Sequence, residues 1–264
     1  MSENQKYRAP ALDKGLDILE LLASSEQSLS QKDMAAALDR SSSEIYRMLS
    51  TLVQRGYIMR SATDELYSLS LKMFSLSQKH PPIARLLSHA LPLMQKLAQR
   101  SWQSCHICIE DHGDIVVVAS VPAPGNWGMS LRTGSVIGLS NSGSGRVLAA
   151  FRDSESVDKL FEMHRLATGE PQIDKSSFLA RLPGIRKLGY EIAQSDTTQG
   201  VTNLSFPVFD PFDTAIIAVT CPYMKRLDTV KVPNVDQVAQ MHHNLATELT
   251  AFYGGSDINK DAST

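Results

Sequence analysis

Long apolar runs and cysteines are both scarce in this chain of 264 residues. Its first ten residues, MSENQKYRAP, lack the apolar core of a secretory signal, and no apolar run approaches the roughly 20 residues of a membrane-spanning helix. The three cysteines, Cys105, Cys108 and Cys221, are too few and too unevenly spaced for a disulfide framework, which is typical of a reducing compartment. We therefore expect a soluble cytoplasmic protein with no membrane partner.

A net positive charge is absent as well, although nucleic-acid-binding proteins are often strongly basic. The chain has a formal charge of -2, and residues 1–80 contain ten Lys or Arg and ten Asp or Glu. The order of the charges is more informative, because residues 40–60 contain four arginines and a single acid, Glu44. A positive surface is expected only if the fold gathers that segment on one side.

Three helices and a hairpin are predicted before residue 70. Leucines recur at steps of four, three and three between residues 12 and 22, which is one face of a helix. Ser30 and Ser41 each stand three residues before an acid, as N-caps of a second and a third helix. The segments YIMR and LYSLS flank a polar tip and predict a hairpin. This order of elements is that of a winged helix-turn-helix.

The third helix has a polar side that differs from an ordinary solvated surface. Its apolar side is centred on Ile45, with Leu49 and Leu52 within about 40° at 100° per residue. The opposite side lacks the glutamate–lysine pairs at four-residue spacing that solvated helices usually carry. Its short hydrogen-bonding side chains and one arginine suit the major groove, although a plain wet surface remains the alternative. The predicted DNA contacts are Arg40, Ser42, Ser43, Tyr46, Arg47, Ser50, Gln54 and, on the hairpin, Arg60.

The second half of the chain alternates strands and helices. An apolar stripe over residues 83–97 predicts a helix with Pro92 near its start. The further predicted elements are a hairpin over 105–122, a strand near 129–131, helices over 144–151 and 178–188, strands within YEIAQS, TNLSFPVFD and TAIIAVTCPY, and a helix over Val235–Tyr253. This pattern favours an α+β sensor domain with an antiparallel sheet.

The length of the chain predicts two compact units, and 42% apolar residues suffice for two cores. The sequence HPP at residues 80–82 ends a helical stretch that begins at Leu71, because proline lacks an N–H and restricts its predecessor. We expect a winged helix-turn-helix domain over 9–70, a linker helix over 71–82, a sensor domain over 83–254 and a disordered tail over 255–264.

The sequence NSGSG at residues 141–145 precedes a predicted helix. Its glycines free the backbone, and the amides at the helix N-terminus favour an anion without a lysine. The alternative is a glycine-rich turn that only joins a strand to a helix.

The sequence resembles the IclR family of transcriptional regulators over nearly all of residues 9–253. ALDKGLDILELL, EIYRMLSTLVQRGYI and YSLSLKMFSL resemble the winged-helix segment and linker of that family. LRTGSVIGLSNSGSGRVLAAF and LPGIRKLGYEIAQSDTTQGVTNLSFPVFDPFDTAIIAVTCP resemble its GAF-like effector domain. The resemblance implies a homodimeric or homotetrameric repressor or activator that binds a double-stranded DNA operator and a small organic acid or aromatic effector, with no cofactor.

The same resemblance assigns the effector pocket. Gly143 and Ser144 match the anion-cradling loop of the family. Ala193 stands where some members carry an acid that contacts the ligand, so that contact is either absent or replaced by Asp196. The predicted effector-binding residues are Ser142, Gly143, Ser144, Asp196, Val201, Asn203 and Thr220. Phe206 occupies a small-residue position of the pocket strand and is expected to shrink or reshape the cavity.

Catalytic and metal sites are not expected. Cys105 and Cys108 would point to opposite faces of a strand and so could not chelate one ion together. His242 and His243 are expected at the surface or in a dimer contact. Ser144 does not meet the G-x-S-x-G pattern, and no histidine and acid are placed to activate it. The remaining alternatives are a sensor or scaffold of this fold that has lost DNA binding, and a hydrolase that depends on Ser144.

Overall fold

The computed structural model describes residues 9–228 and 230–255. The chain divides into two compact units, with the division between Ala84 and Arg85. Of the expected disordered tail, residues 256–264 lie outside the described residues, and Gly255 donates its N–H to the carbonyl of Thr250 in the last helix.

The first unit has the predicted winged helix-turn-helix order. Its elements are α1 (Pro10–Ser24), α2 (Gln31–Ala37), α3 (Ser42–Gln54), β1 (Ile58–Arg60), β2 (Tyr67–Leu69) and α4 (Lys72–Gln78). The strands β1 and β2 form an antiparallel hairpin in which Met59 lies opposite Ser68. Both predicted N-caps are present, since Ser30 and Ser41 form reciprocal capping boxes with Asp33 and Glu44.

A small core holds these elements together. Ile18 of α1, Met34 of α2 and Ile45 and Leu49 of α3 are almost completely buried and meet Ile58 of the hairpin. Because the apolar stripes of the three helices converge on this core, the opposite side of α3 faces solvent.

The second unit is built on a six-stranded sheet in the order β5-β4-β3-β8-β7-β6, in which every neighbouring pair is antiparallel. Its strands are β3 (Cys105–Asp111), β4 (Asp114–Val121), β5 (Val136–Ile137), β6 (Glu191–Gln194), β7 (Val201–Phe209) and β8 (Ala215–Met224). Its helices are α5 (Pro81–Ser101), α6 (Gly143–Ala150), α7 (Ser154–Met163), α8 (Lys175–Leu188) and α9 (Val235–Tyr253). The predicted α+β class with an antiparallel sheet is confirmed.

Each face of the sheet has its own core. On one face, residues of α5 and α9 pack with Cys105, Leu204 and Phe206. On the other, residues of α6, α7 and α8 pack with Cys108 and Val117. The two cysteines of β3 therefore lie on opposite faces, as the alternation of side chains along a strand predicts.

Two predicted features of the second unit are wrong. Residues 129–131 form no strand; the edge strand is β5, which pairs with β4 through Val136. Gly134 has a φ of 86° and donates its N–H to Val117, so the chain joins the sheet only after this turn. Pro92 lies inside α5 rather than near a helix start, and the helix continues because Ala90 and Met94 are anchored in the core.

The prediction that His242 lies at the surface or in a dimer contact is also wrong. Its side chain is completely buried, and its Nδ1 lies 2.8 Å from the carbonyl oxygen of Val238. Burial lowers the pKa of His242 to about 4. Its spacing from Val238, Leu245 and Leu249 places it on the apolar stripe of α9, a signal that the adjacent His243 obscured.

Candidate functional site

The start of α3 is fixed by Ser41 and Glu44. Hydrogen bonds from Lys14 and from Ser41 lower the pKa of Glu44 to about 2, and Lys14 also forms an ion pair with this carboxylate. The single acid of residues 40–60 is thus held in the N-terminal cap and neutralised by a lysine of α1. The remaining turns of α3 carry no negative charge.

The polar side of α3 is open to solvent. All eight residues predicted to contact DNA are exposed. Arg47, at the centre of this side, has no ion-pair partner among the described residues. An exposed helix face that offers hydroxyl and amide groups around an unpaired guanidinium can bind phosphate oxygens and the acceptor atoms of guanine. We call the side chains of Ser43, Tyr46, Arg47, Ser50 and Gln54 the α3 polar face.

Arg40 and Arg60 differ from Arg47 because each meets an acid of the same unit. Arg40 lies 3.7 Å from a carboxylate oxygen of Asp17, and Arg60 lies 2.6 Å from one of Glu65. Exposed ion pairs of this kind contribute only about 0–1 kcal/mol. A phosphate group can therefore compete for either arginine.

The loop before α6 is shaped by close backbone approaches. The hydroxyl of Ser142 donates to the carbonyl of Gly138 and accepts from the N–H of Gly145, which caps the helix. A Cβ atom on Gly143 would lie 2.3 Å from Ser205 Oγ, and one on Gly145 would lie 2.3 Å from the carbonyl oxygen of Leu139. Only glycine fits at either position, so the first turn of α6 lies directly against the sheet.

A cavity of about 180 Å³ opens at this first turn, enough for about six water molecules at roughly 30 Å³ each. We call it the loop cavity. Five of the predicted effector-binding residues line it, namely Ser142, Gly143, Ser144, Asn203 and Thr220. No Lys, Arg, Asp or Glu is among its described lining residues, so its polar groups are hydroxyls, amides and the imidazole of His106.

A chain of buried hydroxyls forms the floor of the loop cavity. Ser144 Oγ lies 2.9 Å from Thr220 Oγ1, which donates to Ser205 Oγ at 3.0 Å. His106 lies beside Thr220 across the sheet, and burial lowers its pKa to about 4, so the ring is neutral at neutral pH. His106 was not among the predicted effector-binding residues, although the alternation of β3 places it opposite to the core residues Cys105 and Ile107.

Asp196 and Val201 do not line the loop cavity among the residues that the structure describes. Asp196 instead accepts a hydrogen bond of 2.7 Å from Arg146 Nη1. Arg146 is completely buried, and its Nε donates to both carboxylate oxygens of Glu191 at 2.7 and 2.9 Å. The same guanidinium donates to the carbonyl of Ser140, so Arg146 joins the loop before α6 to β6 and to the turn that follows it. Arg146 directly precedes the apolar sequence VLAAF in a helix that is otherwise uncharged. A lone arginine in such a helix is the sequence signal that could have revealed this network.

Glu170 fixes the loop from the other side. It accepts hydrogen bonds from the N–H and the hydroxyl of Ser140 and contacts His164 Nε2 at 2.9 Å. Although burial alone would raise it, the pKa of Glu170 is lowered by hydrogen bonds from the N–H groups of Ser140 and Ala167. Two buried charged groups, Arg146 and Glu170, thus hold Ser140 in place.

The expectation that Phe206 reshapes the cavity is wrong. Phe206 lies on the opposite face of the sheet, with its ring centroid 5.3 Å from that of Tyr190 and 5.9 Å from that of His243. It is buried in the core beneath α9, whereas its neighbour Ser205 faces α6. A shift of one residue along a strand reverses the face, which explains the error.

Neither the hydrolase alternative nor a metal site is supported by the described residues around the loop cavity. Ser144 is hydrogen-bonded to Thr220, and the His106 ring makes no hydrogen bond to any described residue. Within the described ranges, no group of three or more His, Cys, Asp or Glu could hold a metal ion. Of the described helices, none is both long and apolar enough to cross a bilayer.

Comparisons with known proteins cover both units. The family described as IclR helix-turn-helix domain matches residues 11–62, and the one described as Bacterial transcriptional regulator IclR C-terminal matches residues 83–248. The chain is 25% identical over 236 residues to the HTH-type transcriptional regulator KdgR of Escherichia coli, covering 88% of each protein. It is 24% identical over 253 residues to the transcriptional repressor IclR of the same bacterium, covering 93% of this chain and 90% of the other.

Solved structures share the fold. An IclR homolog from Microbacterium hydrocarbonoxydans, complexed with 4-hydroxybenzoate, matches with a TM-score of 0.75 at 18% identity, covering 93% of this chain and 100% of the other. An IclR-type regulator from Alicyclobacillus acidocaldarius matches with a TM-score of 0.73 at 18% identity, covering 94% and 100%. At these identities the likeness establishes the fold.

Proposed function

Because the chain belongs to the IclR family of bacterial transcriptional regulators, we propose that it binds an operator as a homodimer or homotetramer and that a small organic acid in the loop cavity modulates this binding. Membership of this family makes the chain a transcriptional regulator with a helix-turn-helix DNA-binding domain and an IclR-type C-terminal domain. We further propose which residues contact DNA and which kind of ligand the C-terminal domain binds. Operator binding would take place in the bacterial cytoplasm, where the DNA lies.

The α3 polar face supports the DNA-binding part of the proposal. It is exposed, it carries an unpaired Arg47, and the nearby acid Glu44 is neutralised by Lys14. Ser43 and Tyr46 lie in the N-terminal half of α3, the part of a recognition helix that meets base edges. The unpaired Arg47 is the single observation that carries this part. Arg40 and Arg60 would add phosphate contacts at either side.

Exposed apolar side chains of the first unit support self-association. Leu12 and Leu16 of α1 are 62% and 46% exposed, and Leu71 and Phe74, at the start of α4, are 80% and 63% exposed. Apolar side chains concentrated in two helices of a small domain are typical of an interface. A second copy of the chain is the proposed occupant, because paired half-sites in DNA require a two-fold symmetric protein.

The loop cavity supports the ligand part of the proposal. Amide groups at the start of α6 attract an anion, while Asn203, Thr220 and Ser144 offer hydrogen bonds to carboxylate or hydroxyl oxygens. Its volume of about 180 Å³ favours a small organic acid. The solved relative with bound 4-hydroxybenzoate gives an aromatic acid as one precedent for this fold.

An electrophoretic mobility shift with DNA from the region upstream of the gene tests the proposal. We expect saturable binding whose affinity falls steeply as the salt concentration rises, because phosphate contacts release counterions. Small carboxylates added to the complex should change the fraction of bound DNA. Binding that is absent at every salt concentration would refute the operator-binding function.

A second candidate is a ligand sensor or scaffold of the same fold that has lost DNA binding. The equal numbers of acidic and basic residues in 1–80 favour it, as do the ion pairs of Arg40 and Arg60 within their own unit. This candidate predicts a ligand-dependent rise in melting temperature without any shift of upstream DNA.

A further inference from the structure

The second unit contains another cavity, at the end of the sheet where β3 begins and β4 and β8 end. It has a volume of about 300 Å³, which is at the lower limit of roughly 300–1,000 Å³ for ligand pockets. Two tryptophans, Trp102 and Trp127, and two methionines, Met129 and Met224, line it. We call it the tryptophan cavity.

The backbone around Trp102 is built to hold the indole in place. Trp102 has a φ of 55°, a left-handed conformation that is rare for a bulky residue and must be held by its surroundings. The neighbouring Gln103 holds it, since its side chain both donates to the carbonyl and accepts from the N–H of Met224. On the other side Gly125, with a φ of 92°, allows the indole to approach so closely that an added Cβ would lie 3.2 Å from it.

Positive charge borders the aromatic surface. The Arg226 guanidinium lies 5.4 Å from the centre of the Trp102 ring and is ion-paired with Asp228. Lys225, which also lines the cavity, is exposed and has no ion-pair partner among the described residues. With one acid against two bases, the rim carries an excess of one positive charge.

We propose that the tryptophan cavity is a second ligand site of this protein, for a planar aromatic carboxylate. The ring would lie against the two indoles and the methionines, which favour flat and polarisable groups. The carboxylate would bind Lys225 and the outward edge of Arg226. An aliphatic acid would lose the ring contacts, and a neutral aromatic amide would lose the charge.

This site is separate from the loop cavity in its chemistry. The loop cavity has no charged lining residue and no tryptophan among its described lining, whereas the tryptophan cavity has both. The two cavities share only Met129, whose carbonyl accepts a hydrogen bond from Ser104. Variants can therefore remove one site while leaving the side chains of the other in place.

Tryptophan fluorescence of the full-length protein tests the proposal directly, because Trp102 and Trp127 are the only two tryptophans of the chain. Benzoate is the probe, with benzamide as the neutral aromatic and cyclohexanecarboxylate as the non-planar acid. We expect a saturable change with benzoate. Benzamide should require at least about a ten-fold higher concentration because it lacks the negative charge, and cyclohexanecarboxylate should also bind more weakly because it lacks a planar aromatic ring.

Variants distinguish the two sites. Lys225→Ala and Arg226→Gln should each weaken benzoate binding, whereas Ser144→Ala and Asn203→Ala, which alter the loop cavity, should leave the fluorescence titration unchanged. Lys231→Ala serves as a control for the removal of an exposed lysine outside either cavity. The proposal is overturned if benzoate gives no saturable change, if benzamide binds equally well, or if the response survives in Lys225→Ala and Arg226→Gln and disappears in the loop-cavity variants.

Discussion

At the scale of single residues, Arg47 is the side chain on which we propose that sequence-specific binding most depends. Replacement by alanine should weaken operator binding by roughly 1–3 kcal/mol if Arg47 binds a base edge. The matched control is Arg60→Ala, because the Arg60 guanidinium is shared with Glu65 and is expected to contact phosphate alone. Mobility shifts with operator and with scrambled DNA should show that Arg47→Ala reduces the preference for operator, whereas Arg60→Ala weakens both equally. Equal effects of the two variants would contradict the role given to the α3 polar face.

The two buried histidines make a prediction about acid stability. Burial lowers the pKa of His106 and of His242 from 6.5 to about 4, so between these values the unfolded chain binds protons that the folded chain does not. The free energy of unfolding should therefore be highest above pH 6.5 and should fall as the pH is lowered towards 4. Urea unfolding at a series of pH values measures this slope.

Two variants test whether His242 causes this pH dependence of the unfolding free energy. His242→Asn removes one of the two buried imidazoles and should flatten the fall in unfolding free energy between pH 6.5 and 5. His112→Asn is the control, since the His112 side chain is 89% exposed and lies outside the buried core. An unchanged slope in His242→Asn would show that the ring titrates freely in the folded protein.

At the scale of secondary-structure elements, Arg146 connects α6 with β6 and with the turn after it. Glu191→Gln should destabilise the protein strongly, by about 3–5 kcal/mol, because it leaves a buried guanidinium without its main partner. Asp196→Asn should cost much less, roughly 0–1 kcal/mol, because the Asp196 side chain is 40% exposed and solvent screens it. Thermal and urea unfolding of both variants measure the difference, and a larger loss for Asp196→Asn would contradict the network as described.

The sequence predicts where helices and strands lie better than it predicts which side of each one is buried. Capping pairs and apolar spacing were sufficient for α3 and for the bounds of α9, because both signals lie within the element. Phe206 and His242 were assigned to the wrong surroundings, since the face of a strand or helix depends on which neighbour packs against it. The edge strand β5 was missed because it is two residues long and depends on pairing with β4. Arg146, Glu191 and Asp196 are distant in sequence, so only the fold brings them together.

At the scale of the whole molecule, the proposed self-association depends on the exposed apolar residues of α1 and α4. The double variant Leu71→Asp, Phe74→Asp should dissociate the proposed oligomer, because a charge buried in an apolar interface is strongly unfavourable. Analytical ultracentrifugation of the full-length protein should then show a lower mass. Electrophoretic mobility shifts should show that the variant binds the operator more weakly.

The control for this double variant is Phe212→Asp. Phe212 is 86% exposed in the turn between β7 and β8, outside the first unit. Its replacement should leave the mass of the oligomer unchanged. If the double variant kept the mass of the unaltered protein, the interface would have to lie elsewhere.

The alternation along β7 and β8 separates what can vary in this protein from what cannot. Asn203, Ser205 and Thr220 face α6, while residues next to them in sequence, Leu204, Phe206 and Val219, fill the core beneath α9. Randomising Asn203 and Thr220 alone would therefore change the lining of the loop cavity while leaving the core beneath α9 in place. If the proposed effector occupies the loop cavity, a library of that design would offer a direct route to biosensors with altered ligand preference.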